Sequence, residues 1–281
     1  MPQSVRSQIS ANHPGITEST IRQASRSKQK YSFVWIVAEG DDDAKLYGRM
    51  YDSLFVKALP STIQKGNNSC INVEKIVTNT LRDTAINIIG IRDKDYTSFT
   101  EYHNPDPLHI FLTDRRDIEM QIIESKWNKI NSHITSNVIN DIITYSKQVG
   151  LYRIFNDREN LHFSFDSLHV NDYWDFSLKQ LKSGWQTQLE GFFFNGIVSR
   201  RSVTQLKQMY SMFVHRLNVA NLNYYDICQG HDFVSLLKGL GSNVLSKLDK
   251  ELFKWYSKSD YNSTQLASDI NRWATQNSCQ M

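Results

Sequence analysis

The chain has 281 residues, of which 40% are hydrophobic and 12% aromatic, enough for one large domain or two modest ones with a substantial core. Lys and Arg number 32 against 29 Asp and Glu, a formal charge of +3 that permits nucleic-acid binding without demonstrating it. No apolar run approaches the ~20 residues of a membrane span, and three cysteines, Cys70, Cys228 and Cys279, have neither the number nor the spacing of a disulfide framework or a zinc site.

The polar stretch from Met1 to Lys30 contains no signal-peptide core, so the expected compartment is the cytoplasm. It reads as a lead-in, with a short basic helix over Ile16 to Lys30 capped at Thr17 or Ser19. Phe33 to Ala38 is short, apolar and rich in β-branched and aromatic residues, the pattern of a strand covered on both faces. Glu39 stands at its carboxyl end, where open α/β sheets bind ligands, and Gly40 permits a tight turn. Asp41 or Asp42 can cap the helix that follows, whose Tyr47, Met50, Tyr51 and Leu54 share a face.

A second strand is expected over Leu54 to Leu59, stopped by Pro60, and the loop Gln64 to Asn68 leads to Ser69 as a cap. Val73, Ile76, Val77 and Leu81 then form a buried helical stripe. Ile86 to Ile91 is a buried-strand run ending in Asp93-Lys94-Asp95, and Leu108 to Leu112 is another, ending in Asp114 to Glu119. Strands alternating with helices at this spacing call for right-handed crossovers and a mostly parallel sheet flanked by helices, an α/β fold.

Acids at three strand ends can converge, because neighbouring strands lie only about 4.8 Å apart. Clustered carboxylates repel unless cations neutralise them, and all-oxygen ligation points to Mg²⁺ or Mn²⁺. In extended chain Asp93 and Asp95 point the same way and can face one metal, with Lys94 facing elsewhere.

The order Glu39-Gly40-x-x-Asp43 after one apolar strand and Asp93-x-Asp95 after another resembles the TOPRIM domain of topoisomerases, primases and OLD-family nucleases. Gly90 to Tyr96, Leu112 to Met120 and Cys228-Gln229-Gly230-His231-Asp232 further resemble the TOPRIM-like family that includes AriB, the effector nuclease of the PARIS anti-phage system. The resemblance covers roughly residues 31 to 125 and the Gly230 island. It implies an enzyme, a metal-dependent endonuclease that cleaves DNA or RNA such as tRNA, with Glu39 as general acid/base and Asp93 and Asp95 as metal ligands. Asp43 and Glu119 would add carboxylates to the metal site, and Glu39 would also touch the metal. An ABC-type ATPase partner is implied as well, the chain having no Walker-type phosphate loop of its own.

Other readings stay open for these residues. Asp43 and Glu119 also suit the first turns of their helices, Arg115 and Arg116 suit either phosphate or the neighbouring acids, and His231 with Asp232 suits a helix start. Lys94, Arg115, Arg116 and His231 are the candidates for nucleic-acid contact. Asp93-x-Asp95-x-Thr97 also fits a haloacid-dehalogenase-type phosphatase with Asp93 as nucleophile, although that fold puts its nucleophile on the opening strand. A non-catalytic TOPRIM-like interaction module is the third reading.

From about Asn128 the character changes. Helices are expected over Asn131 to Val149, Val203 to Val214, His231 to Leu240, Asn243 to Tyr256 and Ser263 to Thr275, with short strands at Leu161 to Phe165 and Leu168 to Val170. The expected organisation is a lead-in (1–30), a TOPRIM-like core (31–127) and a mainly helical region packed on it (128–281). The aromatic residues of that last region exceed what one covering face needs. A nuclease without a sensor motif also needs a means of control, so a homodimer is the expected active form.

Overall fold

The structure is a computed structural model that describes residues 15–26, 33–51, 54–61, 69–100, 102–218, 222–241 and 243–281. Most of the lead-in, the 28–30 end of the basic helix and the 64–68 loop lie outside the described residues. In chain order the elements begin α1 (Gly15–Ser25), β1 (Val34–Ala38), α2 (Asp41–Tyr51), β2 (Val56–Pro60), α3 (Ser69–Asp83), β3 (Asn87–Arg92) and β4 (Ile110–Leu112). They continue α4 (Ile118–Ser125), α5 (Trp127–Asn131), α6 (Ser136–Arg158), β5 (Trp174–Asp175), β6 (Gln180–Leu181), α7 (Trp185–Gly196) and α8 (Val203–Leu217). The last are α9 (Tyr224–Ile227), α10 (Gly230–Gly239), α11 (Leu248–Trp255), α12 (Lys258–Asn262) and α13 (Gln265–Gln276). Among the described residues no helix is long and apolar enough to cross a membrane.

Compactness groups these elements into two units. The first comprises Met1–Lys94, His103–Asp114 and Tyr256–Met281, the second Asp95–Tyr102 and Arg115–Trp255. The last two helices, α12 and α13, thus fold with the sheet, whereas a division at residue 128 places them with the helices before them.

The first unit is an all-parallel four-stranded sheet in the order β2-β1-β3-β4. Every residue of β1 is buried, and so is β3 from Ile88 to Arg92, as two-sided cover requires. On one face Trp35, Val37, Ile88 and Ile110 pack with Val73, Ile76 and Val77 of α3 and Ile21 of α1. Gly90 makes that contact possible, since a Cβ there would stand 2.7 Å from Val73 Cγ1. The alternate residues Val34, Ile36 and Ile89 lie on the other face. There the Tyr51 and Tyr261 hydroxyls meet at 2.7 Å and join α2 to α12.

The second unit is helical, with one small antiparallel ribbon, β5-β6, that was not expected. The expected strands at 161–165 and 168–170 are not formed. Asn156 explains the first: its side chain accepts the Phe163 N–H at 2.9 Å and donates to the Phe163 carbonyl at 3.3 Å, doing the work of a neighbouring strand. The alternation there buries rings instead, Phe163 and Phe165 lying 5.2 and 5.8 Å from Phe193. Helix α6 starts five residues later than expected and continues through Gly150 to Arg158.

Candidate functional site

In the first unit, the strand order places β2 on one side of β1 and β3 on the other. The chain therefore reverses its winding between β1 and β3, and sheets of this kind bind ligands at the carboxyl ends of the strands there. Ala38 pairs with Ile91, so Glu39 comes level with Arg92 and Asp93 stands one residue beyond it. The Glu39 carboxylate accepts the Asp93 backbone N–H at 3.0 Å, and the buried Ser61 hydroxyl donates to the Glu39 carbonyl at 2.9 Å. Both acids are half-buried.

Asp43, also half-buried, reaches back to accept the Gly40 N–H at 2.9 Å, while the Gly40 carbonyl takes the Ala44 N–H at 3.0 Å. Gly40 thus occupies the cap position and Asp43 the reciprocal acid of a capping box. The expectation that Asp41 or Asp42 caps this helix is corrected: both lie in its first turn, where they pair with Lys45. Asp43 is accordingly a structural cap.

Beneath these acids Tyr47 is 2% exposed. Its phenol is held well above its ordinary pKa, by burial first and then by the negative charges of Asp43 and Asp93. Two carboxylates therefore bear on one buried ring. The backbone N–H of Lys94 donates to the buried Thr113 hydroxyl at 2.9 Å, and Arg92, also buried, pairs with Glu74. Asp114, expected near the acids of the third strand end, instead accepts the Gln265 and Leu266 N–H groups, both at 2.7 Å, at the start of α13.

Sequence reasoning missed Cys70, whose Sγ lies within 4.8 Å of a Glu39 carboxylate oxygen. The signal was topological: Cys70 is the second residue of the helix following β2, and such helix starts face the carboxyl edge of the sheet.

The second unit holds the other predicted residues. Asp95 does not continue an extended strand: β3 stops at Arg92, and Asp95 has φ +47°, a left-handed conformation that Asp tolerates better than most residues. Asp93 and Asp95 are therefore not aimed by strand alternation, as an extended chain would have aimed them. The Asp95 N–H donates to the Arg116 carbonyl at 2.6 Å, and an Arg116 nitrogen lies 3.7 Å from its carboxylate.

Arg116 is 7% exposed, so it is no surface cation. It pairs with Asp117 and stacks 4.5 Å from the Tyr96 ring centroid. Burial alone would weaken its charge, but Tyr96, Asp117 and Asp95 more than restore it and raise its pKa. Burial likewise pushes the Tyr96 phenol up to about 12, against the pull of Arg116. Arg115 binds Glu124 through two bonds of 2.6 Å, so both arginines have carboxylate partners.

Asp117 caps α4 through the Met120 N–H and accepts the Gly230 N–H, both at 2.9 Å. A Cβ on Gly230 would stand 2.4 Å from Asp117 Oδ1 and from the Glu119 Cβ, so only glycine fits there. That contact explains the Gly230-His231-Asp232 island as a joint between two helix starts. His231 is exposed, and Asp232 binds Arg153 at 3.0 Å. Glu119 is a half-buried residue of the first turn of α4.

Arg153 and Asp157, one helical turn apart on α6, also went unnoticed in the sequence. Asp157 titrates above the usual carboxylate range although the residue is exposed. Lost hydration comes first and the Asp95 charge second, opposed by Arg116 and Arg153.

No protein-family model matches the chain, and no curated protein matches it. The likeness to TOPRIM-like nucleases stands on the quoted residues alone.

Proposed function

We propose that this protein is a metal-dependent phosphodiester hydrolase, a TOPRIM-like endonuclease acting in anti-phage defence. The observation that carries the reading is the Glu39–Asp93 pair at the reversal point of a parallel sheet, joined by a hydrogen bond of 3.0 Å. A ligand crevice belongs at that place in such a sheet, and both residues have oxygen donors. The carboxylate donors fit Mg²⁺ or Mn²⁺.

By the resemblance, Glu39, Asp93 and Asp95 would hold the metal, with Asp43 and Glu119 as further carboxylates. Two residues of chain keep the Asp93 and Asp95 Cα atoms within about 7 Å of each other. A bound metal would supply Lewis-acid stabilisation of charge on the phosphoryl oxygens. Glu39 holds the proton of the attacking water or of the leaving oxygen; one of its oxygens accepts from the Asp93 amide and fixes the group's orientation. Nothing in this arrangement requires the phosphatase reading, in which Glu39 has no role.

Control by an ABC-type ATPase partner and activity as a homodimer are proposed from the resemblance. The test is to incubate purified protein with tRNA, single-stranded and duplex nucleic acid, in Mg²⁺, Mn²⁺ or chelator. Cleavage that needs metal and is lost in Glu39→Gln supports the reading. Metal-independent cleavage, or full activity in Glu39→Gln, overturns it.

A further inference from the structure

We propose that Arg116 is a positioning residue for Asp95, and not a contact for nucleic-acid phosphate. The proposal rests on the nuclease reading above, in which Asp95 is a metal ligand. Asp95 adopts a left-handed conformation, which costs a residue with a side chain about 1 kcal/mol or more and persists only when its surroundings hold it. Arg116 holds it twice. Its carbonyl accepts the Asp95 N–H at 2.6 Å, and its guanidinium approaches the Asp95 carboxylate at 3.7 Å.

Arg116 is itself held from three sides. Its guanidinium pairs with Asp117 and lies 4.5 Å over the ring of Tyr96, the residue after Asp95, while its own N–H donates to the Tyr225 carbonyl at 3.2 Å. Asp117 in turn is fixed by the Met120 and Gly230 amides. A rigid path thus runs from two helix starts through Asp117 and Arg116 to the Asp95 carboxylate. The Arg116 Nε is buried and finds no acceptor among the described residues. The two terminal nitrogens of Arg116 face the carboxylates of Asp117 and Asp95.

Charge favours the same role. Asp117 neutralises Arg116, so the guanidinium can orient Asp95 without presenting a full positive charge to a metal. At 7% exposure it also has little surface to offer a phosphate.

The test compares wild type, Arg116→Lys, Arg116→Gln and the double variant Arg116→Gln/Asp117→Asn, which leaves no lone buried charge. Thermal melting, Mn²⁺ titration, and kcat and KM with tRNA or whichever probe of the panel above is cleaved are the readouts. Removing a group that orients a metal ligand costs about 10–100-fold. That loss is expected in kcat for Arg116→Gln and the double variant, with KM within about twofold, and Arg116→Lys should recover part of it. The salt dependence of nucleic-acid binding should not change.

A raised KM with kcat held, and a salt slope reduced by about 1, would make Arg116 a phosphate contact and overturn the proposal. Unchanged kcat in folded variants of an active wild type would overturn it while leaving the nuclease reading intact. Should Arg116→Gln fail to fold, Arg116→Lys decides: it keeps a cation for Asp117 but loses the fork and the ring stacking, so full activity there also overturns the proposal. A wild type that neither binds Mn²⁺ nor cleaves any probe removes the nuclease reading, and this inference with it.

Discussion

The acids singled out in the two units are held in different ways, although the sheet unit also pairs buried Arg92 with Glu74 and Asp117 of the helical unit also accepts two backbone amides. In the sheet unit, Glu39, Asp43 and Asp114 accept backbone N–H groups, at the end of a strand or the start of a helix. In the helical unit, Asp95, Asp117 and Asp232 face arginines, Arg116 for the first two and Arg153 for the third. An amide donor orients a carboxylate without cancelling its charge. A carboxylate paired with a buried guanidinium is largely neutralised, and its removal strands a charge. The contrast teaches where function can be separated from stability. Acids of the first kind should be removable at little cost to folding, acids of the second kind not.

The largest expected effect is that of Asp117→Ala. The substitution deprives buried Arg116 of its partner, α4 of its cap and Gly230 of its acceptor, and should lower unfolding free energy by about 3–5 kcal/mol. Chemical denaturation measures this. The apo form of Glu39→Gln, which keeps an acceptor for the Asp93 amide, should change by less than about 1 kcal/mol. Equal losses in the two variants would break the contrast.

Gly230→Ala comes next, at about 1–3 kcal/mol, because the added methyl would press on Asp117 and Glu119. In Asp114→Ala the start of α13 loses an acceptor for two amides, and the expected cost is about 1–2 kcal/mol. A larger loss than for Asp117→Ala would invert the comparison.

The smallest effect is also the one that depends on pH. The folded Asp157 carboxyl holds its proton more tightly than the unfolded one, whose pKa is about 3.9. Below that value both states are protonated and the group is neutral for stability. As pH rises through the window up to the raised folded pKa, the unfolded state releases its proton first, so stability falls. Asp157→Asn should therefore raise the melting temperature at pH 7 by about 1–2 °C and leave it unchanged near pH 3. The effect is small because the residue is exposed. A melting temperature that falls at pH 7 would show that the arginines outweigh Asp95 and lost hydration.

Much of the sheet unit was legible because its signals are local. Val34–Ala38 and Ile88–Ile91 are apolar throughout, as strands covered on both faces must be, and the β1-to-β3 spacing admits parallel crossovers. The placement of Glu39 followed from the strand end alone. The helical unit was less legible. Phe163 and Phe165 alternate with polar residues as a strand would, yet a side-chain amide of Asn156 satisfies the backbone. The stretch Trp185–Gly196 shows rings on several sides, so no single stripe marks it as a helix.

By itself the sequence determined the α/β class, the strands whose ends carry Glu39 and Asp93, and the helices with a clear apolar face, because period and strand ends are properties of neighbouring residues. Tertiary structure decided the carboxylate partners that lie far apart in the chain. Asp117 meets Gly230 and Asp114 meets Gln265 across more than a hundred residues of chain, and Cys70 approaches Glu39 only once α3 has crossed over the sheet. The left-handed turn at Asp95 belongs to the same class, since the carbonyl that accepts its amide lies on Arg116. No pattern of neighbours encodes such pairings; they are set by where the packed elements bring distant backbone groups to rest.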